Sequence, residues 1–482
     1  MLETSLDGDS LMKLKILHTN DLHSKFEELA RIASVIEQVR DENTLILDAG
    51  DNADFSRPET EGTNGRISSA ILNKIGYTAK VFGNNEGFAG KENARIISET
   101  SRCPVVTCNM CDIRGKRLDF LQDAIIVDVS GSRILIIGVT APLNVFFHLY
   151  GIHVKDPEQE VRRVLVEHEK TSRDLTILVS HLGLVGDRNL ASKLPSIEVI
   201  IGGHSHTFLE KPLHENKTII CQAGHFGQCL GELTIELNAA TKKICDYEGR
   251  LIRSQNYPEH PKIKKLIKQF TEQADKYMSR EMYSLGKSLD HSLTEENAVG
   301  NLLADALRDL MKTDIGLINS GAVNGEISKG AITKKLLHEL SPSPLNPTYM
   351  ELKGRDIKSA LRKSMNRKYQ LSDGRGAGFR GTNLGNLQVS SNVQIKVDSS
   401  NKVCLITIDN TPLDPRRWYS VGTSDYLQRG TGYRELANSR NESYRPEFLR
   451  NVLEEYLRKS EFLRCASKKR FKLDISSIRA SG

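Results

Sequence analysis

Six short apolar runs, which alternate with helix-like segments between residue 13 and about residue 250, constrain the fold of this chain most strongly. They read "KLKILHTND", "TLILDAGD", "AKVFGNNE", "RILIIGVT", "DLTILVSH" and "VIIGGHSH". Each contains a short stretch of strand length that is rich in apolar residues, which is typical of strands that are covered on both faces. The alternation predicts an α/β domain with helices packed on its sheet.

A chain of 482 residues is too long for one core and should hold two or three domains. Ile263, Leu266, Ile267 and Phe270 recur at helical spacing behind two prolines, which predicts an amphipathic linker helix between two large domains. The predicted organisation is a disordered leader over 1–12, a first domain over 13–250, the linker over 251–284, a second domain over 285–455 and a peripheral basic tail over 456–482.

The second half has the pattern of a mixed α and β domain. "ENAVGNLLADALRDLM", "KGAITKKLLHEL" and "GRDIKSALRKSM" predict helices, "TDIGLINSG" predicts a strand, and "NVQIKVDSSNKVCLITID" predicts a hairpin. The glycine-rich stretch from Gly374 to Gly385 is a candidate functional loop.

Composition narrows the class of partner and the compartment. The 67 basic and 61 acidic residues give a net charge of +6, an excess too small to argue for nucleic acid although it suits small anions. Because the sequence shows neither a secretory leader nor an 18-residue apolar run, we expect a cytoplasmic protein without a membrane partner, with Met12 as a possible initiator. Composition does not fix the oligomeric state.

The eight cysteines are irregularly spaced, which does not suggest a disulfide framework, and in the cytosol they would stay reduced. Cys108 and Cys111 form a lone C-x-x-C pair. We interpret them as small buried residues in preference to a redox motif or half of a zinc site.

Residues that bind metals stand at the ends of five of the six apolar runs. Side chains two positions apart in an extended chain point the same way, so the members of a D-x-H or H-x-H pair can face one cleft. We expect all five strand ends to converge at one edge of a sheet. The residues concerned are Asp21, His23, Asp51, Asn84, His181, His204 and His206.

Each of these residues alone is more often a turn former or a satisfied polar group than a ligand. Seven of them at five strand ends, flanked by glycines, favour a metal site. Oxygen and imidazole ligands without a thiolate suit manganese, zinc, iron or cobalt. Seven side chains exceed the needs of one ion, but two ions about 3.5 to 4 Å apart that share an aspartate would use them all.

"LHTNDLHS", "DAGD", "GNNE", "SHLG" and "GGHSHT", in this order, resemble the 5'-nucleotidase branch of the calcineurin-like metallophosphoesterases. "VGNLLADAL", "INSGAVNGEI" and "RGTGY" are similar to that family's C-terminal substrate domain. The resemblance implies an α/β fold, in which a four-layer metallophosphoesterase-like sandwich precedes a smaller α+β 5'-nucleotidase C-terminal-like domain. It also implies hydrolysis of phosphate esters or anhydrides of a nucleotide-like small-molecule substrate by a hydroxide that bridges two divalent metal ions, Mn, Zn or similar.

The same resemblance implies a division of the ligands between the two ions, with Asp51 as the bridge. One ion would be held by Asp21, His23, Asp51 and His206, and the other by Asp51, Asn84, His181 and His204.

Asn85 departs from the family motif, which is G-N-H-E or G-N-H-D, because it stands where the histidine assists the leaving group. An amide can donate a hydrogen bond but cannot deliver a proton, and general acid help is worth about 10² to 10⁴ in rate. We therefore expect a catalytic role for Asn85 limited to hydrogen bonding, and a preference for stable leaving groups such as phosphoanhydrides. Alternatively, another histidine nearby replaces the missing one, or Asn85 orients Asn84.

The second domain departs from the family's phosphate contacts as well. Asn324 and Glu295 stand where family members usually carry the arginines that bind the substrate phosphate, and neither side chain can replace a guanidinium. Arg375 and Arg380 are the candidate replacements. Solvated arginines in a flexible loop are the alternative interpretation.

The aromatic clamp for the base is also incomplete. Tyr433 matches one of its two rings, but Ser343 and prolines stand where the other ring is expected. Asn319 is a candidate base contact.

Two other functions remain open: a cyclic-nucleotide or dinucleotide phosphodiesterase, and a nucleotide-binding sensor with weakened catalysis. By analogy with the family, the linker helix predicts a hinge motion between the domains.

Overall fold

The computed structural model describes residues 11–474, apart from residues 130 and 377, and divides the chain into two compact units between residues 275 and 276. Residues 1–10 of the predicted leader lie outside this range. Leu11 and Met12 already belong to the first strand, so the leader is predicted two residues too long. None of the described helices is both long enough and apolar enough to cross a bilayer.

The first unit contains two large sheets with helices on their outer faces and one small two-stranded sheet. Its strands are β1 (Leu11–Thr19), β2 (Thr44–Asp48), β3 (Ala79–Lys80), β4 (Met110–Asp112), β5 (Ala124–Val129), β6 (Ser132–Thr140), β7 (Ile152–Val154), β8 (Leu175–His181), β9 (Val199–Gly202), β10 (Leu213–Glu215), β11 (Thr218–Cys221), β12 (Cys229–Asn238) and β13 (Ile244–Arg253). Its helices are α1 (Phe26–Val39), α2 (Pro58–Gly62), α3 (Arg66–Ile75), α4 (Asn84–Phe88), α5 (Lys91–Glu99), α6 (Asn144–Phe147), α7 (Pro157–Glu167) and α8 (Leu184–Lys193), followed by α9 (Pro261–Met278) at the boundary.

Four layers result from the way these elements pack. The first sheet has the strand order β13-β12-β1-β2-β3, and the second has the order β10-β11-β9-β8-β6-β5. Alternate residues of β6 point to opposite faces: Ile134 and Ile136 join the core between the sheets, whereas Leu135 and Ile137 pack under α7 and α8. On the other side, α1 and α3 cover the first sheet. The four-layer sandwich is therefore confirmed.

The linker helix forms between the residues where its apolar spacing predicts it. In α9, Ile263 is buried in the core that lies beneath α1 and α3, and Leu266, Ile267 and Phe270 are partly buried against the same core. The preceding strand, β13, ends at Arg253, beyond the predicted end of the first domain at residue 250.

The second unit is a mixed α and β domain. Its strands are β14 (Glu281–Leu285), β15 (Ile315–Asn319), β16 (Gly330–Thr333), β17 (Pro347–Lys353), β18 (Leu387–Val389), β19 (Val393–Val397), β20 (Val403–Ile408), β21 (Thr411–Pro412), β22 (Trp418–Ser424), β23 (Arg440–Tyr444) and β24 (Phe471–Leu473). Its helices are α10 (Ala298–Met311), α11 (Lys334–Leu340), α12 (Gly354–Ser364), α13 (Arg367–Gln370), α14 (Asp425–Gln428), α15 (Leu449–Tyr456) and α16 (Ser460–Ala466).

Two expectations for this unit need correction. The first residues of "KGAITKKLLHEL" form β16, which pairs with β14, and the helix begins only at Lys334. The basic tail is not peripheral as far as residue 474, because β24 pairs with β19 and the guanidinium of Arg470 is buried against the carboxylate of Asp305 at 2.6 Å. The ion pair with the buried aspartate holds this segment in the fold, and the composition of the tail does not reveal that partner.

The eight cysteines all lie in the described part of the chain and are free thiols. Cys108 and Cys111 are both buried, as the structural interpretation of the C-x-x-C pair predicts. Burial raises the pKa of the Cys108 thiol well above its ordinary value, which makes this thiol unreactive.

Candidate metal centre

The predicted ligand residues come from two sheets, so the expectation of a single sheet edge is wrong. Asp21, Asp51 and Asn84 follow β1, β2 and β3 of the first sheet. His181 and His204 stand at or just after the ends of β8 and β9 of the second sheet. The sequence alone does not show which strands pair. The two sheets bring these strand ends to one place.

Direct backbone hydrogen bonds join the loops after β1 and β2. The amide of Asp21 donates to the carbonyl of Gly50, and the amide of His23 donates to the carbonyl of Asp51, both at 2.9 Å. The two loops therefore run side by side and present their side chains together.

Five of the seven predicted ligands have a left-handed backbone. Their φ angles are 51° for Asp21, 46° for His23, 53° for Asp51, 72° for His204 and 56° for His206. Residues other than glycine rarely adopt this region, and each such conformation costs on the order of 1–3 kcal/mol. Left-handed residues of this kind concentrate at functional sites, which supports a functional role for these loops.

Asp21, His23 and His206 form one group of possible ligands, whose ligand atoms all lie within 4.8 Å of one another. Nε2 of His206 lies 3.3 Å from Oδ1 of Asp21 and 3.2 Å from Nε2 of His23. Oδ2 of Asp51 lies 3.8 Å from Nε2 of His23. These side chains lie close enough together to bind one cation.

A second group consists of Asp21, Asp51 and His181. Oδ1 of Asp51 lies 3.4 Å from Nε2 of His181, while Nδ1 of His181 lies 2.7 Å from the carbonyl of Ala49. When His181 is neutral, a proton on Nδ1 can be donated to that carbonyl, which leaves the Nε2 lone pair available to a cation beside Asp51. The ring of His204 packs against that of His181 at 5.0 Å between centroids. Asp51 thus contacts both groups.

Unpaired buried atoms show that these residues fit divalent cations. Oδ1 of Asp21, Oδ1 of Asn84 and Nε2 of His181 are buried and have no hydrogen-bond partner among the described residues. Burying such an atom unpaired costs about 1–3 kcal/mol, and divalent cations bound by these atoms would remove that cost. Oxygen and imidazole donors suit manganese, zinc, iron and cobalt.

The electrostatics of the centre favour protonation of two of its imidazoles, those of His181 and His23. Burial lowers the pKa of His181, but the carboxylate of Asp51 outweighs burial and raises it. Burial likewise opposes the charge of His23, yet Asp54 and Asp51 raise the pKa of its imidazole above the ordinary value. A metal ion must displace these protons, because only neutral imidazole binds metal.

We therefore expect the affinity for a divalent cation to rise with pH. Below the raised pKa of His181, each proton released on binding changes the apparent affinity by about tenfold per pH unit. Titration calorimetry with Mn²⁺ at about pH 6 and about pH 8, in two buffers of different ionisation enthalpy, measures both the affinity and the protons released. An affinity that is the same at both pH values would contradict protonation of the metal-free centre.

Asn85 contacts the ligand residues on both sides of it. Its Nδ2 lies 2.8 Å from Nδ1 of His23, and its Oδ1 accepts from Nδ2 of Asn84 at 3.2 Å. These contacts fit the alternative in which Asn85 orients its neighbours.

Sequence reasoning missed a histidine beside the centre. The ring of His225 stacks on that of His206 with centroids 4.8 Å apart. His225 follows β11 in "QAGHFG", a loop that carries no ligand spacing, so only the strand order brings it here. It is a nearby histidine of the kind required by the alternative in which another histidine replaces the one missing at position 85.

Three supporting side chains were also missed. The carboxylate of Glu86 accepts hydrogen bonds from the amides of Ala53 at 2.8 Å, Gly83 at 2.9 Å and Asp51 at 3.2 Å. Asn20 donates to Oδ2 of Asp21 at 2.7 Å, and Asp54 lies 3.3 Å from Nδ1 of His23. Polar residues next to the ligands in "TND", "DAGDNAD" and "GNNE" were the available signal.

Gly83 allows the loop after β3 to approach Asp51. A Cβ at this position would lie 2.1 Å from Oδ1 of Asp51 and 2.5 Å from its amide nitrogen. We expect Gly83→Ala to lower the free energy of unfolding by about 1–3 kcal/mol and to weaken metal binding, because the carboxylate must move. Urea unfolding of the metal-free protein and a metal titration measure the two effects.

Gly286→Ala is the matched control, since nothing lies within 4 Å of a Cβ added there. A Gly83→Ala protein that behaves like this control would show that the close approach is not required.

The four residues predicted to bind substrate lie in the second unit, and the first of them, Tyr433, is not accessible to a substrate. Tyr433 is fully buried, its hydroxyl donates to the carbonyl of Gly385 at 2.8 Å, and its ring contacts Tyr369. Neither face of this ring is open to a base, because the apolar core encloses it, so stacking by Tyr433 is not supported. The position in "RGTGY" did not reveal this burial.

The other three candidates differ in exposure. Asn319 is buried and donates from Nδ2 to the carbonyl of Leu384 at 2.7 Å. Arg375 is exposed and forms an ion pair with Asp373 at 2.7 Å. The amide of Arg380 donates to Oγ of Ser343 at 2.8 Å. Their roles remain predictions.

Two protein-family models match this chain. A family model described as calcineurin-like phosphoesterase matches residues 14–208, and one described as 5'-nucleotidase, C-terminal domain, matches residues 274–437. This chain belongs to the 5'-nucleotidase family of calcineurin-like phosphoesterases. The family resemblance drawn from the five motifs is confirmed, and so is a two-domain metal-dependent phosphohydrolase.

Relatives of this family member match it over most of its length. The uncharacterized metallophosphoesterase YunD of Bacillus subtilis is 29% identical over 455 residues, which cover 92% of this chain and 98% of that protein. A 5'-nucleotidase of Vibrio cholerae is 27% identical over 73% of this chain and 75% of its own length. The solved structure of Haemophilus influenzae NAD nucleotidase, with 16% identity and a TM-score of 0.69, covers 96% of this chain and 100% of that chain, and shows the same fold.

Proposed function

We propose that this phosphohydrolase acts on nucleotides at a two-metal centre in its first unit. Asp21, His23, Asp51 and His206 would hold one divalent ion, and Asp51, Asn84, His181 and His204 the other, with manganese or zinc as the candidate metals. When bound, such ions lower the pKa of water and stabilise charge on the phosphoryl oxygens. The observation that carries the proposal is the set of unpaired buried atoms on Asp21, Asn84 and His181.

The side chains around the centre hold its ligand residues in position. Glu86 fixes the backbone of Asp51 and Ala53 in one loop and of Gly83, directly before Asn84, in the other, through its three amide contacts. The carbonyl of Ala49 fixes the His181 tautomer that leaves Nε2 free. These contacts order the ligands before a cation arrives, which reduces the free energy needed to assemble the site.

The substrates we propose are those with stable leaving groups. Asn85 offers an amide hydrogen bond to a departing oxygen but no proton, so an alkoxide of a nucleoside would leave slowly. A phosphoanhydride or an aryl phosphate does not need that proton. We expect kcat/KM to be higher for ADP and for an aryl phosphate than for AMP.

Steady-state hydrolysis of AMP, ADP and an aryl phosphate in Mn²⁺ or Zn²⁺ tests this proposal. AMP as the best of the three would contradict the leaving-group preference. Tight nucleotide binding without any turnover would contradict the hydrolase and favour a sensor.

We also propose that the protein acts in the cytoplasm. Eight free thiols, of which Cys245 and Cys404 are exposed, suit a reducing environment. The proposed partners are small nucleotides, and neither a nucleic acid nor a membrane is included among them.

A further inference from the structure

A chain of hydrogen bonds runs behind the histidines that the second sheet contributes. Its centre is Asp187 of α8, which is fully buried. Oδ1 of Asp187 accepts from Oγ of Ser180 at 2.5 Å, and Oδ2 accepts from Nε2 of Gln222 at 2.8 Å. One carboxylate therefore joins β8 to the residue that follows β11.

The chain continues from Gln222 to the loop after β9. Oε1 of Gln222 accepts from Oγ of Ser205 at 2.8 Å. Ser180 directly precedes His181, and Ser205 stands between His204 and His206. Both ends of the chain thus lie next to predicted ligands, while Asp187 itself is six positions from His181.

The surroundings of Asp187 are shaped for this carboxylate. A Cβ at Gly202 would lie 2.1 Å from Oδ2 of Asp187 and 2.7 Å from Nε2 of Gln222, so only glycine leaves room for the pair. Burial raises the pKa of Asp187 to about 7, against the opposing hydrogen bonds from Ser180 and Gln222. Burying a carboxylate costs more free energy than burying an apolar residue of the same shape. This cost argues that the hydrogen bonds of Asp187 serve a function.

We propose that Asp187 is a positioning residue of the metal centre. Through Ser180 on one side, and through Gln222 and Ser205 on the other, it sets the separation between His181 and the loop of His204 and His206. This inference rests on the proposed function, since it assumes that these histidines bind metal. Contacts behind metal ligands typically change metal affinity by about 10- to 100-fold when they are removed.

Cobalt titration of the metal-free full chain, followed by its visible absorption, tests the proposal independently of turnover. We expect Asp187→Ala to weaken Co²⁺ binding by about 10- to 100-fold, and excess metal to restore most of kcat. Asp187→Asn keeps the shape and one acceptor, so it should recover most of the affinity. Ser205→Ala removes only the exposed end of the chain, and we expect it to weaken binding several-fold without loss of folding.

Asp425→Ala is the matched control. Asp425 is a buried aspartate of the second unit that accepts from the amide of Asn346 at 3.0 Å, and its loss should lower Tm while Co²⁺ binding stays unchanged. The proposal is overturned if Asp187→Ala and Ser205→Ala bind Co²⁺ as the wild type does, or if Asp187→Ala changes only Tm, as the control does.

The outcomes also separate this proposal from the proposed function. A wild type that binds Co²⁺ but hydrolyses no phosphate substrate refutes the function, and the titrations still decide the role of Asp187. A wild type that binds no Co²⁺ overturns both.

Discussion

Replacing Asp51 with asparagine is expected to lower kcat/KM for an aryl phosphate by more than the 10- to 100-fold that is typical of residues behind the ligands. This carboxylate lies beside ligands of both proposed ions, with Oδ1 at 3.4 Å from Nε2 of His181 and Oδ2 at 3.8 Å from Nε2 of His23. An amide offers one neutral oxygen and cannot serve two cations. Steady-state kinetics, with bound metal measured by elemental analysis, gives both effects.

Asp246→Asn provides the control for this substitution, because Asp246 is an exposed aspartate on β13 of the same unit. We expect it to keep wild-type metal content and rate. An Asp51→Asn protein that retains two metals and full activity would refute the bridging role.

Restoring histidine at position 85 is expected to raise kcat for AMP by about 10² to 10⁴, the range of general acid catalysis. The gain should be small for an aryl phosphate, whose leaving group needs no proton. The imidazole would replace an amide that now contacts His23 and Asn84, so metal content must be measured alongside the rates.

Asn85→Gln serves as the companion variant, because it keeps the amide and adds no titratable group. We expect no gain for AMP from it. Equal gains for AMP and for the aryl phosphate in Asn85→His would show that the substitution acts through ligand orientation instead of proton transfer.

The strand ends could be predicted because local sequence encodes them. Continuous apolar runs fix the strands, and the polar residues that stop those runs fix where Asp51 and His181 lie along the chain. The division into two sheets could not be predicted, because apolar periodicity reports burial and does not report which strand pairs with which. The motifs therefore predict that the ligands converge, whereas only the fold shows that two sheets carry them.

Other features depended on tertiary contacts that no local pattern records. The aromatic position of Tyr433 suggested an exposed ring, yet the core encloses it. The basic composition of the tail suggested a solvated segment, yet Arg470 finds the carboxylate of Asp305. Asp187 carries no sign in the sequence that it will meet Gln222, 35 positions away.

The left-handed backbone at Asp21, His23, Asp51, His204 and His206 has a consequence for folding stability. Glycine at these positions would relieve the backbone strain, but it would also give the unfolded chain more conformational freedom and would remove the hydrogen bonds that Asp21 and Asp51 accept. Relief of strain is therefore opposed at these five positions, and a change to glycine there would give up the ligands without a clear gain in folding stability.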